Sequence, residues 1–291
     1  MNIRKLWFRN AQGKKFLLDG TDGVYASSLA GLGFDMAPDM GDLGGGFFAL
    51  LDNDCEPQRN ITFSITFTRN PYSVYQQFID FLAVGNISLV YVPVGSAQYI
   101  RDVSVTSVSK GELNTVGWLD CSCSILCLTP WYLPSATVLA LESDGSADTR
   151  RYPYTYTPGL RYGSESVAAL SGVIAPTGQI PGALEIMYTG GITNPRISLI
   201  GQRTGKLYGL CDLKAEIPAD ACLMFSSRRN GSFVIMVSPD LTATDLLGAL
   251  DLSHDPYPRI PVDESCVLRI DADSEITGTA TVQVYYYFRS V

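Results

Sequence analysis

Residues 61–68, Ile-Thr-Phe-Ser-Ile-Thr-Phe-Thr, alternate strictly, which puts Ile61, Phe63, Ile65 and Phe67 on one face and four hydroxyl side chains on the other. That pattern predicts a half-buried strand. The period then changes. Asn70 is placed as an N-cap and Pro71 in the first helical turn, and Val74, Tyr75, Phe78, Ile79 and Leu82 recur every three or four positions. A helix of about three to four turns is predicted, closed by Gly85-Asn86. Elsewhere in the first half the period is two. Residues 5–18 alternate around Trp7, Phe8, Phe16 and Leu17 with a turn at 10–13, so they form a hairpin, and further strands are predicted at 87–92, 99–108 and 118–128. Residues 26–46 carry neither period and read as a flexible arm; no Lys-Ser/Thr follows Gly44-Gly45-Gly46, which argues against a phosphate loop.

Pro130 and Pro134 stop the last of these strands, and the chain divides into a domain at 1–135, a linker at 136–155 and a domain at 156–291. The second half is a series of short strands, at 182–188, 196–201, 206–213, 221–225, 233–238, 265–270 and 279–289. Asn230-Gly231 marks a hairpin between two of them, and residues 240–250 suggest a short helix. In the last strand Val282, Val284, Tyr286 and Phe288 point inward, and Gln283, Tyr285, Tyr287 and Arg289 outward. This spacing of strands predicts a β-sandwich or jelly roll.

With 46% hydrophobic and 17% charged residues over 291 positions, the chain folds rather than staying disordered. Its net charge of −8 is shared by both halves, so neither is a general nucleic-acid binder. The single histidine, His254, sits in a proline-rich loop and is read as solvated; it leaves no material for a multi-histidine metal site. Seven cysteines, an odd number and thinly spread, read as reduced thiols. Cys121, Cys123 and Cys127 share strand parity with Ile125 and are assigned to packing. Asp52-Asn-Asp54-Cys-Glu56 and Asp271-Ala-Asp273-Ser-Glu275 space carboxylates as calcium loops do, but lack the glycine and distal glutamate such loops need. No apolar run reaches 18 residues, so neither a membrane helix nor a signal peptide is expected. No catalytic residue, metal or cofactor is assigned, and the chain is not read as an enzyme.

The order of parts then becomes informative. An N-terminal hairpin, Ala30-Gly31-Leu32-Gly33, a strand ending in Phe67-Thr68-Arg69-Asn70-Pro71, a helix with Tyr75 and Phe78, a further sheet and Cys127-Leu-Thr-Pro130-Trp131-Tyr132 together resemble the distal tail proteins of long-tailed bacteriophages. The likeness covers residues 1–135; the second domain resembles the galectin-like or carbohydrate-module-like domains such proteins carry. The resemblance implies a mainly β fold: a β-sandwich-like ring domain with one helix and a β-hairpin extension, followed by a β-sandwich. It implies a structural hub of the virion, assembled in the bacterial cytoplasm. There a homohexameric ring joins the tail tube protein to the tail-tip or tail-associated protein. Tape measure and receptor-binding proteins are further implied partners, the genome DNA passes through the lumen without specific binding, and the membrane is not entered.

Two sets of residues follow as candidate contacts. Arg4, Lys5, Arg9, Lys14 and Lys15 lie in a segment without acids, and Asp35, Asp39, Asp42, Asp52, Asp54 and Glu56 in one without bases. They either set register between subunits or are solvated loop charges, and the acids are alternatively a lumen wall that repels phosphate. Tyr75 and Phe78 are the helix residues assigned to subunit contact. The alternative function is a carbohydrate-binding adhesion module of a phage tail or contractile injection baseplate. For it, Tyr152, Tyr154, Tyr156, Tyr162 and above all Tyr285 and Tyr287 are the candidate saccharide contacts.

Overall fold

The computed structural model describes residues 4–44, 47–95, 97–138, 140–142, 169–274, 276 and 278–291, with 37–55, 136–138 and 140–142 described as backbone. The chain divides into two compact units, one of Met1–Leu133 with Tyr287–Val291 and one of Pro134–Tyr286. Each is built mainly of antiparallel strands.

The first unit runs β1 (Lys5–Arg9), β2 (Lys15–Leu17), β3 (Val24–Ala30), β4 (Phe34–Gly44), β5 (Phe47–Pro57), β6 (Asn60–Phe67), α1 (Pro71–Ala83), β7 (Ile87–Val92), β8 (Tyr99–Leu113), β9 (Leu119–Cys127) and the start of β10 (Trp131–Val138). Strand β8 joins two sheets. Its first residues pair with β7, which continues to β1 and β2, and from Val103 onward it pairs with β9, which continues to β6 and β3. A bulge between Val105 and Ser107 marks the change, as expected where a strand must bend between sheets.

The core between these sheets takes Phe8 from β1, Leu89 from β7, the four alternating residues of β6 and the thiol face of β9. Ile61, Ile65 and Phe67 are fully buried, and Cys121, Cys123, Ile125 and Cys127 share the inward face, so the thiols are packing groups. Burial, with a smaller push from the neighbouring Cys121, raises the Cys123 thiol to about 12, which keeps it protonated and inert.

Helix α1 closes one end of this core through Phe78, whose ring lies 6.0 Å from Phe8, 4.9 Å from Phe16 and 6.1 Å from Phe67. Asn70 does not cap the helix with its side chain. The reversal from β6 into α1 places it in the left-handed region at φ 43, which asparagine tolerates, and its carbonyl accepts the Val74 N–H at 3.0 Å. At the other end Gly85, at φ +79, lets the chain leave the helix, as predicted.

Residues 26–46 depart from the arm expected. They supply β3, on the edge of the β6 sheet, and β4, which pairs with β5 in a separate two-stranded ribbon. The period is hidden in sequence because Ser28 breaks β3 at φ 54 and because β4 carries acids, glycine and proline. Gly31, at φ +92, turns the chain from β3 into the ribbon. A Cβ there would collide with the Asn60 carbonyl.

The second unit contains β11 (Ala140–Glu142), β12 (Ala169–Ile174), β13 (Ile180–Thr189), β14 (Ile192–Thr193), β15 (Arg196–Gly201), β16 (Leu207–Leu213), β17 (Glu216–Ile217), β18 (Cys222–Ser226), β19 (Phe233–Val237), β20 (Ala243–Asp245), β21 (Leu250–Asp251), β22 (Cys266–Asp271) and most of β23 (Thr279–Phe288). One sheet has the order β23-β13-β18-β19-β20 and the other β11-β12-β22-β15-β16-β21. They share one core, in which Leu184, Phe225 and Val282 from the first meet Leu199, Cys211 and Leu268 from the second. This is a β-sandwich.

Of three local expectations, two are corrected here. Residues 240–250 form β20 and a single 3-10 turn at Leu247–Ala249, because the Asp245 carboxylate accepts the Leu247 N–H at 2.8 Å and holds a turn in place of a helix. The Asn230-Gly231 hairpin forms as expected, with a loop over 227–232 closed by the Gly231 N–H on the Arg228 carbonyl at 3.1 Å. In β23 the alternation breaks after Val284, and Tyr287 turns out to be buried, at 8% exposure. Its ring centroid lies 6.2 Å from that of Tyr132, because Tyr287–Val291 belong to the first unit.

A buried carboxylate fastens one turn of the second unit. Glu264 accepts the Thr204 hydroxyl at 2.7 Å, the Tyr208 hydroxyl at 2.5 Å and the N–H groups of Thr204 and Arg203 at 3.1 and 3.2 Å. The Thr204 and Tyr208 hydroxyls are the main cause of its low pKa, about 2 against an ordinary 4.5, and Tyr208 is pushed up to about 12 in return. A carboxylate with a lowered folded pKa adds stability above its ordinary pKa and loses it as pH falls through the folded value. The melting temperature of the chain is therefore expected to fall as pH drops from 4.5 to about 2, and Glu264→Gln to flatten that part of the profile. An unchanged acid limb in the variant would remove Glu264 as its source.

Candidate interaction surfaces

The β1–β2 hairpin is a basic surface. Asn10 shapes its turn by accepting the N–H groups of Gln12 and Lys14, each at 3.1 Å. Register sets Arg9 directly opposite Lys15, and the Lys15 ammonium lies 5.5 Å over the Trp7 ring. Lys5 is exposed on β1, and Arg4 is tied back to the Ala26 carbonyl at 3.3 Å. The turn abuts the end of α1, where the Ala11 N–H donates to the Gly85 carbonyl at 3.4 Å.

The ribbon pairs acidic positions across its two strands. Asp35 stands opposite Glu56, Ala37 opposite Asp54 and Asp39 opposite Asp52 in the backbone register, positions of one strand parity. Phe34, Met36 and Pro38 fall on the other face with Pro57, Cys55 and Asn53 opposite them. After the irregularity at Asp39/Met40, Asp42 pairs with Phe48. Phe34 and Met36 are exposed at 46% and 55%, large values for side chains of this size. At the root Asp35 accepts from Gln58 at 2.9 Å and Glu56 pairs with Arg59 at 3.1 Å.

Of the two helix residues, Phe78 is completely buried and holds α1 to its own core, so it is withdrawn as a contact residue. Tyr75 is half-buried edge-on against Phe67, with Lys110 over its ring. Beside the helix runs a groove of about 550 Å³ between its C-terminal half and β8, with Ile79, Leu82, Val105 and Val108 among its lining residues.

On the second unit Tyr285 is engaged within the chain. Its hydroxyl donates to Glu185 at 2.6 Å, and the Arg228 guanidinium covers its ring at 4.6 Å. With Tyr287 buried, neither residue presents a free aromatic face; Tyr152, Tyr154, Tyr156 and Tyr162 lie outside the described residues. Asp271 is bonded to Arg269 at 2.8 Å, and Asp273 to Asn194 at 2.9 Å and Arg196 at 3.0 Å. His254 is exposed beside Ser253.

One residue escaped the sequence reading. Arg101 is 2% exposed, on the core-facing side of β8. Its Nε donates to the Thr129 carbonyl at 2.7 Å and its Nη2 to the Gln58 carbonyl at 2.6 Å, with Trp131 stacked at 5.5 Å. It thereby ties the root of the ribbon to the link between β9 and β10. The signal lay in strand parity, since Tyr99, Arg101, Val103 and Val105 share one face and an arginine in that row is out of place.

Residues 5–128 match the distal tail protein N-terminal domain. The first unit belongs to the distal tail protein family. Two chains of the phage P2 baseplate in its activated conformation, one with calcium and one with strontium, are each similar at 14% identity and TM-score 0.67, over 99% of this chain and 100% of theirs. The SPP1 Dit protein, described as a paradigm of the hub adsorption apparatus in phages infecting Gram-positive hosts, is similar at 10% identity and TM-score 0.58, over 98% of each chain. No curated protein matches the chain. The distal tail protein fold thus extends over both units, and the protein is a structural component of a phage tail or baseplate. No helix of the described residues is long and apolar enough to cross a membrane.

Proposed function

We propose that this distal tail protein assembles into a homohexameric ring that joins the tail tube to the tail-tip and host-recognition proteins, with the second unit as the docking platform. One observation carries the reading. The first unit holds two like-charge ladders of opposite sign, Arg9 opposite Lys15 on one hairpin and Asp35 opposite Glu56 and Asp39 opposite Asp52 on the ribbon. Like charges directly across strands are unfavourable within a chain, and meeting the opposite ladder of a second copy relieves both. A contact between two different patches is head-to-tail, and such contacts close into rings when the rotation allows.

Assembly is accordingly expected to weaken with salt. Raising salt from about 0.05 M to about 0.5 M raises the concentration for half-assembly by about tenfold, because exposed charges are screened. Arg9→Glu combined with Lys15→Glu abolishes rings, measured by light scattering and particle images. Rings that ignore both salt and charge reversal exclude this contact, and a chain that stays monomeric with its tube partner excludes the ring.

A further inference from the structure

We infer that Arg101 and Trp131 hold one small monovalent anion, of the chloride class, inside the first unit. The guanidinium is 2% exposed and the indole fully buried, and the guanidinium carbon lies 5.5 Å from the centre of the Trp131 ring, so their polar atoms belong to one contact. Two of the three guanidinium nitrogens are used, Nε on the Thr129 carbonyl and Nη2 on the Gln58 carbonyl. The third, Nη1, and the indole Nε1 are buried with no hydrogen-bond partner. Such atoms are rare in folded chains, because each is desolvated with no bond to offset the cost. Nη1 carries two N–H groups and Nε1 one, so the contact offers three unused donors.

Charge decides what accepts them. A guanidinium keeps its charge in proteins, and both of its partners here are neutral carbonyls. Among the described residues no carboxylate pairs with it. Asp102, the next residue, faces the opposite side of β8, where it accepts from the Ser88 and Tyr132 hydroxyls at 3.0 and 2.9 Å. Cys127 is the one ionisable group whose charge bears on the guanidinium, and burial raises its pKa against the pull of Arg101, so it is a neutral thiol. A buried charge without a counter-charge is costly, and an anion on Nη1 supplies one; a water molecule satisfies the donors but leaves the charge. Size follows from the donors. A monatomic anion accepts from any direction and is satisfied by three N–H groups, whereas phosphate or sulfate brings further oxygens into a core with nothing left to bind them. The same guanidinium ties down the Gln58 carbonyl, so a filled site steadies the root of the ribbon.

Halide titration of the full chain tests the site. Sodium chloride is compared with sodium gluconate at equal ionic strength, gluconate being too large to enter the core. From chloride-free buffer to about 0.2 M chloride the unfolding equilibrium constant is expected to fall about tenfold relative to gluconate, as for a site filled at about ten times its dissociation constant. The indole N–H resonance of Trp131 is expected to move with chloride while that of the exposed Trp118 stays in place. In crystals grown with bromide, an anomalous peak is expected in contact with Nη1 and Nε1. Trp131→Phe keeps a ring and removes Nε1, and Arg101→Met removes the charge. Each variant is compared with itself in the two salts, so a general loss of stability cancels; the chloride dependence is expected to shrink several-fold in the first and to vanish in the second. Identical wild-type curves in the two salts, or a site that holds only water in bromide crystals, overturn the anion. A chloride dependence that survives in Arg101→Met places the ion elsewhere and overturns it too, and if neither variant folds the wild-type bromide peak decides.

Discussion

Phe78→Ala is expected to cost the first unit about 3–5 kcal/mol, the usual range for deleting a fully buried aromatic ring. The ring is completely buried, and it is the shared neighbour of Phe8, Phe16 and Phe67, which come from three different strands. No nearby side chain refills that volume, because Tyr75, Ile79, Phe81 and Leu82 are partly exposed along the same helix and already packed on the core. Part of the loss comes from the helix itself, since α1 has no side-chain N-cap and no acid in its first turn to hold it alone. Denaturant unfolding followed by the fluorescence of Trp7 and Trp131 measures the effect, with a melting-temperature fall on the order of 10 °C. A loss below about 1 kcal/mol shows that α1 is not integral to this core.

The parts of the fold that were legible are those in which one face is buried and the other wet. Strand β6, the thiol face of β9 and helix α1 follow from period alone, because each residue's exposure there depends only on its parity or helical face. Three parts were not legible for that reason. The ribbon sequence mixes acids, glycines and proline with Phe34 and Met36 without a sustained apolar alternation, so nothing in its composition distinguishes a strand from an arm. Strand β23 changes its burial pattern between Val284 and Tyr287 as the chain passes from one unit to the other, and no local period encodes that change. Glu264 lies in a loop and is defined by Thr204 and Tyr208, about sixty residues earlier, which makes it a purely tertiary feature. The candidate contacts divide the same way: the charged ladders were visible as composition and became opposed pairs only through register, while Phe78 and Tyr287 were assigned to surfaces that the folded chain does not offer.

Arg101→Met is expected to destabilise the first unit on the order of 3 kcal/mol and to loosen the root of the ribbon. The substitution preserves a long apolar stem against Trp131 and removes the donors, so its effect reports the hydrogen bonds more than the packing. The buried Thr129 carbonyl and the half-buried Gln58 carbonyl then lose their side-chain donor, and an unsatisfied buried acceptor costs about 1–3 kcal/mol. Offsetting this, the native state no longer holds a cation in the core: burial lowers the pKa of Arg101 from its ordinary value, the sign of a charge kept there against its solvation. The balance favours the arginine because both acceptors belong to backbone that cannot turn away. Gln58 follows β5 directly, and its own N–H is held by the Gly33 carbonyl at 3.2 Å, so the loosened segment is the one from which the ribbon projects. Amide exchange at 57–60 and 128–131 is therefore expected to rise in the variant more than in β6, and ring assembly to weaken even where the unit remains folded. Arg101→Lys separates charge from geometry, since one ammonium cannot reproduce the two directions of the guanidinium. A lysine variant as stable as wild type, with the ribbon root unchanged in exchange, refutes the two-carbonyl tie as the reason an arginine occupies that inward position.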